Sequence, residues 1–381
     1  MIDSFVFLGN TRFGELFQRE HAFAIELAKH GYNVGYVEGM PSIASRARDL
    51  LSKATTSKSA VGNLKLEILT PPTVPTFFRS SWTPGLDALL FRRWFERTFS
   101  GWNWSTSALM VMFPYWWSGF VDKDICNPPL IVYDVCDSLQ VPARNANALS
   151  RMGEAEARLV AAADIVTTSA ESLRELLLKN YPGCRAVFVS NGVSEEFLVA
   201  AEQMPAQKIN RATFGYAGSL DPRWFDTELI EALAGSISDS SIRIVGPVNA
   251  AGRRRLGKQT GIELVGTIKH SELLKMYSEF SAGLIPFQRN AVTDLVNPIK
   301  LYEYFAFGIP VVATRTKELE RFSDLVYLAS NKTEFTTQAK RAVSENSLGM
   351  DEKRRMVARE NSWPRLTEKL ISVIRSKTAA W

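Results

Sequence analysis

The feature that most constrains the fold is the alternation of short apolar runs with segments whose apolar residues recur every three or four positions. The first half holds the runs SFVFL, NVGYV, LKLEIL, ALMVMF, LIVY, DIVTTS and AVFVS, and the second half holds TFGYAG, IRIVG, IELVG, AGLIPF, IPVVAT and LVYLA. Helical patterns lie between them at 15–30, 150–163, 271–280 and 298–307. The alternation predicts parallel sheets covered by helices.

The chain holds two such series of strands rather than one. Its 381 residues exceed one ordinary core, and suit two domains of ~100–200 residues each. Residues 198–211 turn polar before the new run ATFGYAGSL begins. We therefore predict an α/β protein with two Rossmann-like domains, 1–204 and 205–362, facing across a cleft. Such sheets bind ligands beyond the carboxyl ends of their strands, so we expect the site in that cleft.

Composition narrows the class of protein. Hydrophobic residues make up 46% and charged residues 22% of the chain, the balance of a globular protein. No window offers the ~20 apolar residues of a spanning helix, and MIDSFVFLGN is typical of a strand rather than a signal peptide. The three cysteines and three histidines show no metal-ligand spacing, so we expect no metal and a reducing cytoplasm. A net charge of +5 suits an anionic ligand, an anionic membrane or nucleic acid.

The stretch NPIKLYEYFAFGIPVVAT, residues 297–314, predicts a helix with an anion site at its start. We expect Asn297 to be the N-cap and Pro298 the first helical residue, because proline has no N–H to leave unpaired. The free N–H groups around Ile299 and the positive end of the helix dipole attract an anion. Gly308 is expected to end the helix before the buried strand IPVVA.

Lys300 and Glu303 share one face of this predicted helix. Lysine in the first turn is unfavourable to the helix itself, so we infer that a bound diphosphate compensates for it. Glu303 can accept hydrogen bonds from the vicinal hydroxyls of a ribose. An ordinary solvent-facing lysine–glutamate pair is the alternative interpretation.

A glycine turn opens the second series of strands, in GYAGSLDPRWFD. Gly218 and Ser219 follow the strand directly, where a small residue lets the backbone approach a diphosphate or a sugar. Arg223 is close enough along the chain to reach the same anion. These three residues are further candidates for donor binding.

Taken together, FGYAGSL, IRIVGP, IELVGTIKHSELLKMYSEFSAGLIPF and the stretch 297–314 resemble the GT-B fold glycosyltransferases of the large retaining family. The resemblance is closer to bacterial cell-wall and exopolysaccharide enzymes related to teichuronic acid transferases. It implies transfer of a sugar from a nucleotide-sugar, such as a UDP-, GDP- or dTDP-sugar, to a saccharide or lipid-linked glycan acceptor, without a cofactor. It also implies acceptor binding by 1–204, donor binding by 205–362, and a C-terminal helix, 363–381, that packs back on the first domain.

The sequence departs from that family at one position. The family carries a glutamate, seven residues and a second glutamate; Glu303 matches the second, which is expected to bind the ribose. The position of the first holds Leu295, with Asp294 beside it as a candidate donor contact. Retaining and inverting chemistry therefore both stay open.

The candidate catalytic groups lie in the first domain. In LIVYDVCDSL, Asp134 and Asp137 come at the carboxyl end of a buried strand, where a carboxylate can take the acceptor's proton. We favour Asp137 over Asp134, and capping of the following turn is the alternative for either residue. His21 is a third candidate, with a structural role as its alternative.

Acceptor contacts are expected after the first strand and after ALMVMF. In GNTRFGELFQREHAF, the resemblance places an acceptor pocket beside QR; the candidates are Gly9, Asn10, Arg12 and Arg19. In PYWW, Trp116 and Trp117 can stack on a sugar or pack in the core.

The segment 77–104 combines nine aromatic residues with four arginines. From Pro84 onward its pattern is typical of a helix lying in a membrane interface, so we expect peripheral membrane contact at the inner face of the membrane. Packing of the aromatic side against the first sheet is the alternative.

Two other functions are alternatives to glycosyl transfer. A nucleotide-sugar epimerase of the same architecture would need more histidines and carboxylates around the cleft. A nucleic-acid-binding or DNA-modifying protein fits the pI of 9.0, but the basic residues are scattered rather than striped, so we expect no nucleic acid partner.

Overall fold

The computed structural model describes residues 2–14, 17–39, 58–72, 84–140, 146–204, 212–237, 240–345 and 348–379. Contacts divide the chain into two compact units. Unit 1 comprises Met1–Val189 with Thr367–Trp381, and unit 2 comprises Ser190–Leu366. Each unit is an α/β layer structure built on its own sheet.

The sheet of unit 1 has eight strands within the described ranges, in the order β3-β4-β2-β1-β5-β6-β7-β8. The strands are β1 (Ser4–Leu8), β2 (Asn33–Val37), β3 (Lys58–Ala60), β4 (Leu66–Leu69), β5 (Ser107–Val111), β6 (Leu130–Val135), β7 (Ile165–Thr168) and β8 (Ala186–Phe188). All pairs are parallel except β3 with β4. The central strands are buried throughout, because parallel strands carry helices on both faces.

The helices that precede the second sheet along the chain are α1 (Arg19–Lys29), α2 (Pro84–Thr98), α3 (Lys123–Cys126), α4 (Ala146–Ala162), α5 (Glu171–Asn180) and α6 (Glu195–Gln203). The first five belong to unit 1 and α6 belongs to unit 2. Short 3₁₀ turns lie at Trp104–Thr106 and Pro114–Trp117. No helix within the described ranges has both the length and the apolar composition that a membrane-spanning segment requires.

The sheet of unit 2 has six parallel strands within the described ranges, in the order β11-β10-β9-β12-β13-β14. They are β9 (Ala212–Ala217), β10 (Ser240–Val245), β11 (Ile262–Gly266), β12 (Ala282–Ile285), β13 (Val311–Thr314) and β14 (Val326–Ala329). Successive residues alternate between two apolar cores: Val311 and Ala313 pack in one, Val312 in the other.

The remaining helices are α7 (Thr227–Ser236), α8 (Ala250–Leu256), α9 (His270–Ser278), α10 (Ile299–Ala306), α11 (Lys332–Val343), α12 (Leu348–Glu360) and α13 (Trp363–Thr378). Two further 3₁₀ turns lie at Thr293–Leu295 and Leu319–Phe322. Within α13, contacts group the chain from Thr367 onward with unit 1.

The predicted runs all form strands, and the α/β class with two parallel-sheet units is confirmed. The division between the units falls at Ser190, upstream of the expected boundary near 205. The reason is α6, whose Phe197 packs against Tyr277 and Phe307 of unit 2 at ring-centroid distances of 5.3 and 6.3 Å. The polar stretch after α6 marked the end of a helix rather than the end of a domain.

The aromatic, basic segment forms the predicted helix α2, but its aromatic side is part of the core. Phe91, Phe95 and Phe99 are buried, and the ring of Phe91 lies 5.0 Å from that of Trp116. Arg92 bonds to the carbonyl of Gly119 and pairs with a carboxylate. The part of the prediction at 77–83 lies outside the described residues.

Candidate active site

Helix α10 begins at Ile299, so Pro298 takes the N-cap position. The expectation that Asn297 caps the helix is wrong. Its side chain turns into the protein and donates to the Tyr302 hydroxyl and to a Glu318 carboxylate oxygen, at 3.1 Å each. Its carbonyl accepts from the Asn191 side chain at 2.6 Å. Asn297 thus anchors the loop that leads into the helix.

The two ends of α10 differ in whether their free backbone groups have hydrogen-bond partners. At the C-terminal end, Arg355 donates to the carbonyls of Ala306 and Phe307 at 3.0 and 2.8 Å, and Gly308 adopts a φ of +72°, as expected for the residue that ends a helix. At the start, Pro298 offers no side-chain cap, and the N–H groups of Ile299 and Lys300 have no hydrogen-bond partner among the described residues. The positive end of the helix is therefore the end that can accept an anion.

Lys300 projects from this first turn onto two aromatic rings. Its Nζ lies 5.3 Å from the ring centroid of Tyr216 and 5.6 Å from that of Phe287. No carboxylate lies within 4 Å of Nζ in the described part of the chain. Burial lowers the pKa of Lys300, and the negative charge of Glu303 opposes that shift. A half-buried ammonium held by aromatic faces is ready to exchange weak partners for an anion.

The glycine turn after β9 makes room for this lysine. A Cβ on Gly218, whose φ is +155°, would lie 2.9 Å from the Tyr216 hydroxyl oxygen and 3.3 Å from Cε of Lys300. A Cβ on Gly246, at the end of β10, would lie 2.3 Å from the carbonyl oxygen of Gly218. The N–H of Ser219 has no partner among the described residues. Two strand ends and the start of α10 thus bring unpaired donors and a cation together.

Glu303 is half-buried and lies one turn beyond Lys300 on α10. Its Oε2 accepts a hydrogen bond of 2.6 Å from the Tyr277 hydroxyl on α9. Burial, and then the charge of Glu303, raise the pKa of Tyr277 well above its ordinary value, so the phenol stays a donor.

Two other donor candidates are engaged with their own neighbours. Arg223 is exposed and pairs with Asp221 through bonds of 3.0 and 2.7 Å, and its guanidinium lies 4.8 Å from the Trp224 ring. The Asp221 carboxylate raises the pKa of Arg223. Asp294, in the turn before α10, accepts from the N–H of Lys317 at 3.2 Å. Neither contact directs its side chain to Lys300.

In unit 1, the loop after β1 is held by carboxylates. Glu20 accepts from the N–H groups of Asn10 and Thr11 at 2.9 and 2.8 Å, and from the Tyr36 hydroxyl at 2.8 Å. Glu38 accepts from the N–H of Phe13 at 3.0 Å. These N–H groups are therefore already bonded to carboxylates and unavailable to an anion.

Four predicted acceptor residues lie in or beside this loop. Gly9 is buried, and a Cβ there would lie 2.4 Å from the Tyr36 hydroxyl oxygen, so glycine is required by packing. Asn10 is exposed and Arg12 half-buried. Arg19 is buried and donates from Nε and Nη2 to both oxygens of Asp134, at 2.8 and 3.0 Å.

The pair formed by Arg19 and Asp134 does not favour the roles predicted for them. The side chains are 4% and 1% exposed, and the Thr167 hydroxyl adds a bond of 2.6 Å to Asp134. A bidentate buried pair of this kind ties α1 to β6, and it leaves Asp134 with little access to an acceptor. Asp134 and Arg19 are better described as structural.

Asp137 differs from Asp134 because its side chain is exposed. Desolvation by nearby protein, followed by the charge of Glu20, raises the pKa of Asp137 to about 6. Since the side chain still meets water, solvent screens part of this effect. A carboxylate with a raised pKa is a stronger base than an ordinary aspartate.

His21 and the two tryptophans are built into unit 1. His21 is 1% exposed; its Nδ1 accepts from the Gln18 N–H at 3.2 Å and its Nε2 lies 3.1 Å from Thr11 Oγ1. Trp116 is fully buried and donates to the Gly9 carbonyl at 3.0 Å, and Trp117 is buried as well. Core packing, the alternative left open for PYWW, describes both tryptophans.

Comparison with known proteins decides the class. Residues 223–370 match the family model described as glycosyl transferase-like. This part of the chain is similar to a glycosyltransferase domain. It is 25% identical over 253 residues to a protein of Bacillus subtilis (strain 168) named as a teichuronic acid biosynthesis glycosyltransferase, TuaH. That alignment covers 61% of this chain and 64% of the relative.

The chain shares its fold with solved structures over its full length. Sucrose-phosphate synthase of Thermosynechococcus elongatus has a TM-score of 0.75 at 14% identity, covering all of both chains. Anabaena Alr3699/HepE, solved in complex with UDP, has a TM-score of 0.67 at 14% identity, covering 99% of this chain and 100% of that chain. The fold is GT-B, as the sequence motifs imply.

Several residues of the site were missed at the level of sequence. Tyr216 and Phe287 flank Lys300, and Tyr277 bonds to Glu303 from 26 positions away. Gly246 had a usable signal, since it follows its strand as Gly218 does. The aromatic residues had none, because nothing in a strand or helix pattern distinguishes a core ring from one beneath an ammonium.

Proposed function

We propose that this glycosyltransferase transfers a sugar from a nucleoside-diphosphate sugar to a saccharide or lipid-linked glycan in bacterial cell-surface polysaccharide synthesis. The observation that carries the proposal is the meeting of Lys300 with the unpaired N–H groups of Ile299, Lys300 and Ser219. Teichuronic acid biosynthesis in the name of TuaH and UDP in the HepE complex support the same substrate class.

The chemical task of the donor site is to stabilise the departing diphosphate. Negative charge grows on that group as the glycosidic bond breaks, and preorganised donors and cations at that point lower the barrier. The Lys300 ammonium and the start of α10 supply a cation and oriented N–H groups. We propose that they serve in place of a metal ion, with no cofactor, so activity should persist in EDTA.

The acceptor side of the proposal rests on Asp137. It is the accessible member of the two predicted carboxylates, and its raised pKa suits a base that accepts a proton from a sugar hydroxyl. This role belongs to an inverting reaction. The anomeric configuration of the product, read by proton NMR, distinguishes inversion from retention.

A lipid-linked acceptor would bring the protein to the inner face of the membrane. On α2, Leu89 and Leu90 are 44% and 43% exposed, and Arg93 and Arg97 are exposed beside them. Exposed leucines with nearby arginines can meet an anionic interface. Sedimentation with phosphatidylglycerol vesicles tests this: binding should be lost when Arg93 and Arg97 are both changed to glutamine, and a parent that never binds would refute it.

The donor proposal is tested by thermal stabilisation with UDP, GDP, dTDP, CMP and ADP. A ligand at a hundred times its Kd stabilises by roughly 2.7 kcal/mol, which is easily measured. We expect one diphosphate to stabilise the parent, and Lys300→Ala and Glu303→Ala to respond far less. Lys332→Ala is a matched control, because that lysine pairs with Glu228 on the surface. Failure of every nucleotide to stabilise the parent would remove the main support for the proposal.

A further inference from the structure

We propose that Tyr277 is a positioning residue that holds the Glu303 carboxylate for the ribose of the donor nucleotide. The inference rests on the proposed donor site and adds a residue to it. The Tyr277 hydroxyl lies 2.6 Å from Oε2 of Glu303, and its side chain is 0% exposed. Tyr277 lies on α9 and Glu303 on α10, so the bond links two elements that are distant in sequence.

The ring of Tyr277 has little freedom to move. It stacks on Tyr304 at 5.2 Å between centroids, and Phe197, Phe280 and Phe307 surround it at 5.3, 5.5 and 5.7 Å. Close-packed aromatic side chains of this kind stay in one rotamer. The hydroxyl is therefore presented at a fixed point, and Glu303 is the group that meets it.

A fixed donor matters because Glu303 is a flexible side chain on a helix. Immobilising such a side chain when a ligand binds costs conformational entropy and so weakens the affinity. A hydrogen bond from a buried phenol to a carboxylate is charge-assisted and orders the side chain beforehand. An oxygen that accepts from Tyr277 retains lone pairs for a further donor, such as a ribose hydroxyl.

If Tyr277 has this role, removal of its hydroxyl should weaken the binding only of ligands that carry ribose hydroxyls. Tyr277→Phe keeps the ring and removes the hydroxyl, so packing is preserved. By isothermal titration we expect the Kd for UDP to rise roughly five- to tenfold, because the Glu303 side chain would then have to be ordered when the ligand binds. The Kd values for 2′,3′-dideoxy-UDP and for pyrophosphate should change less than about twofold, because neither presents a ribose diol.

Tyr327→Phe is the matched control. The Tyr327 hydroxyl also donates to a glutamate, Glu345, over 2.6 Å in the same unit. Its removal should lower stability without changing any of the three Kd values. If the nucleotide panel selects another base, that diphosphate and its dideoxy analogue replace the uridine pair.

Each outcome decides a different point. Equal weakening of UDP, dideoxy-UDP and pyrophosphate by Tyr277→Phe would show that the hydroxyl only maintains structure and would overturn the inference. An unchanged Kd for UDP would overturn it as well. A parent that binds pyrophosphate and dideoxy-UDP as tightly as UDP would show that no ribose contact exists, whereas a parent that binds none of them would overturn the donor site itself.

Discussion

The turn after β1 in unit 1 and the turn after β9 in unit 2 start from the same kind of sequence, a buried strand followed by glycine. Gly9 and Gly218 both make room for a tyrosine hydroxyl, of Tyr36 and of Tyr216. In unit 1, Glu20 accepts from the backbone of the loop. In unit 2, the corresponding turn faces Lys300 and has no carboxylate bonded to its backbone in the described ranges.

The difference shows how one backbone pattern gives two opposite electrostatic results. Buried carboxylates satisfy the N–H groups of the first loop and make it part of the scaffold. A cation beside unpaired N–H groups leaves the second turn ready for an anion. Strand–glycine–helix patterns therefore locate a turn, and the charged residues around it decide what the turn can bind.

Changing Asp137 to asparagine should have the largest effect, because it removes the proposed base. We expect kcat/KM to fall 10²–10⁴-fold, the usual contribution of a positioned general base. In the parent, kcat/KM should rise with pH through about 6, since the carboxylate must be deprotonated to act. The measurement is a pH–rate profile, and the variant should lack this acid limb.

Donor binding provides the control for that change. Asp137 belongs to unit 1, so Asp137→Asn should leave the Kd for the nucleotide within about twofold of the parent. A variant that keeps full activity, or a parent profile flat between pH 5 and 7, would show that the base lies elsewhere. In either case the accessible carboxylate of unit 1 would lose its catalytic assignment.

Breaking the buried ion pair of unit 1 should have the next largest effect, on stability. Arg19→Ala leaves Asp134 buried without its cation, which costs about 3–5 kcal/mol. Urea denaturation measures the loss. The double variant Arg19→Met with Asp134→Leu removes both charges and should recover most of it, because similar apolar volume replaces the pair. A loss below about 1 kcal/mol for Arg19→Ala would contradict the structural role.

The sequence was sufficient for the fold because each strand run is short, apolar and bounded by turn residues. Among the strands of the described residues, β3 alone has no counterpart in the predicted runs, since KSA is a three-residue antiparallel edge strand with no apolar periodicity. The contact-based division lies at Ser190 rather than near 205 because Phe197 of α6 packs against Tyr277 of unit 2. Packing between residues that are far apart along the chain cannot be predicted from the composition of a short segment.

The site was predictable only where backbone chemistry dictates the residue. Gly218 and Gly308 follow from positive φ, and Lys300 from its place in the first turn of a helix. Whether a charge is paired depends on residues far along the chain: Arg19 meets Asp134 from 115 positions away. The sequence does not reveal this pairing, so it predicts Asp134 and Arg19 as site residues, whereas in the structure the two side chains are hydrogen-bonded to each other.

Lys300→Met should have a smaller effect than the changes in unit 1, and it tests the open turn of unit 2 directly. Loss of a charged donor to the diphosphate should raise the Kd for the nucleotide roughly 10- to 100-fold. The same change should stabilise the ligand-free protein, because burial penalises the ammonium in the folded state. Calorimetry with and without nucleotide measures both effects on one variant.

The sign of the pH dependence follows from the direction of that pKa shift. Burial lowers the pKa of Lys300 below its ordinary value of 10.5, so between these two values the folded protein binds fewer protons than the unfolded chain. Stability of the parent should therefore rise as the pH approaches 10.5, and Lys300→Met should lack this contribution. A variant that is less stable than the parent without ligand would mean that Lys300 supports the fold, and the contrast between the two turns would then fail.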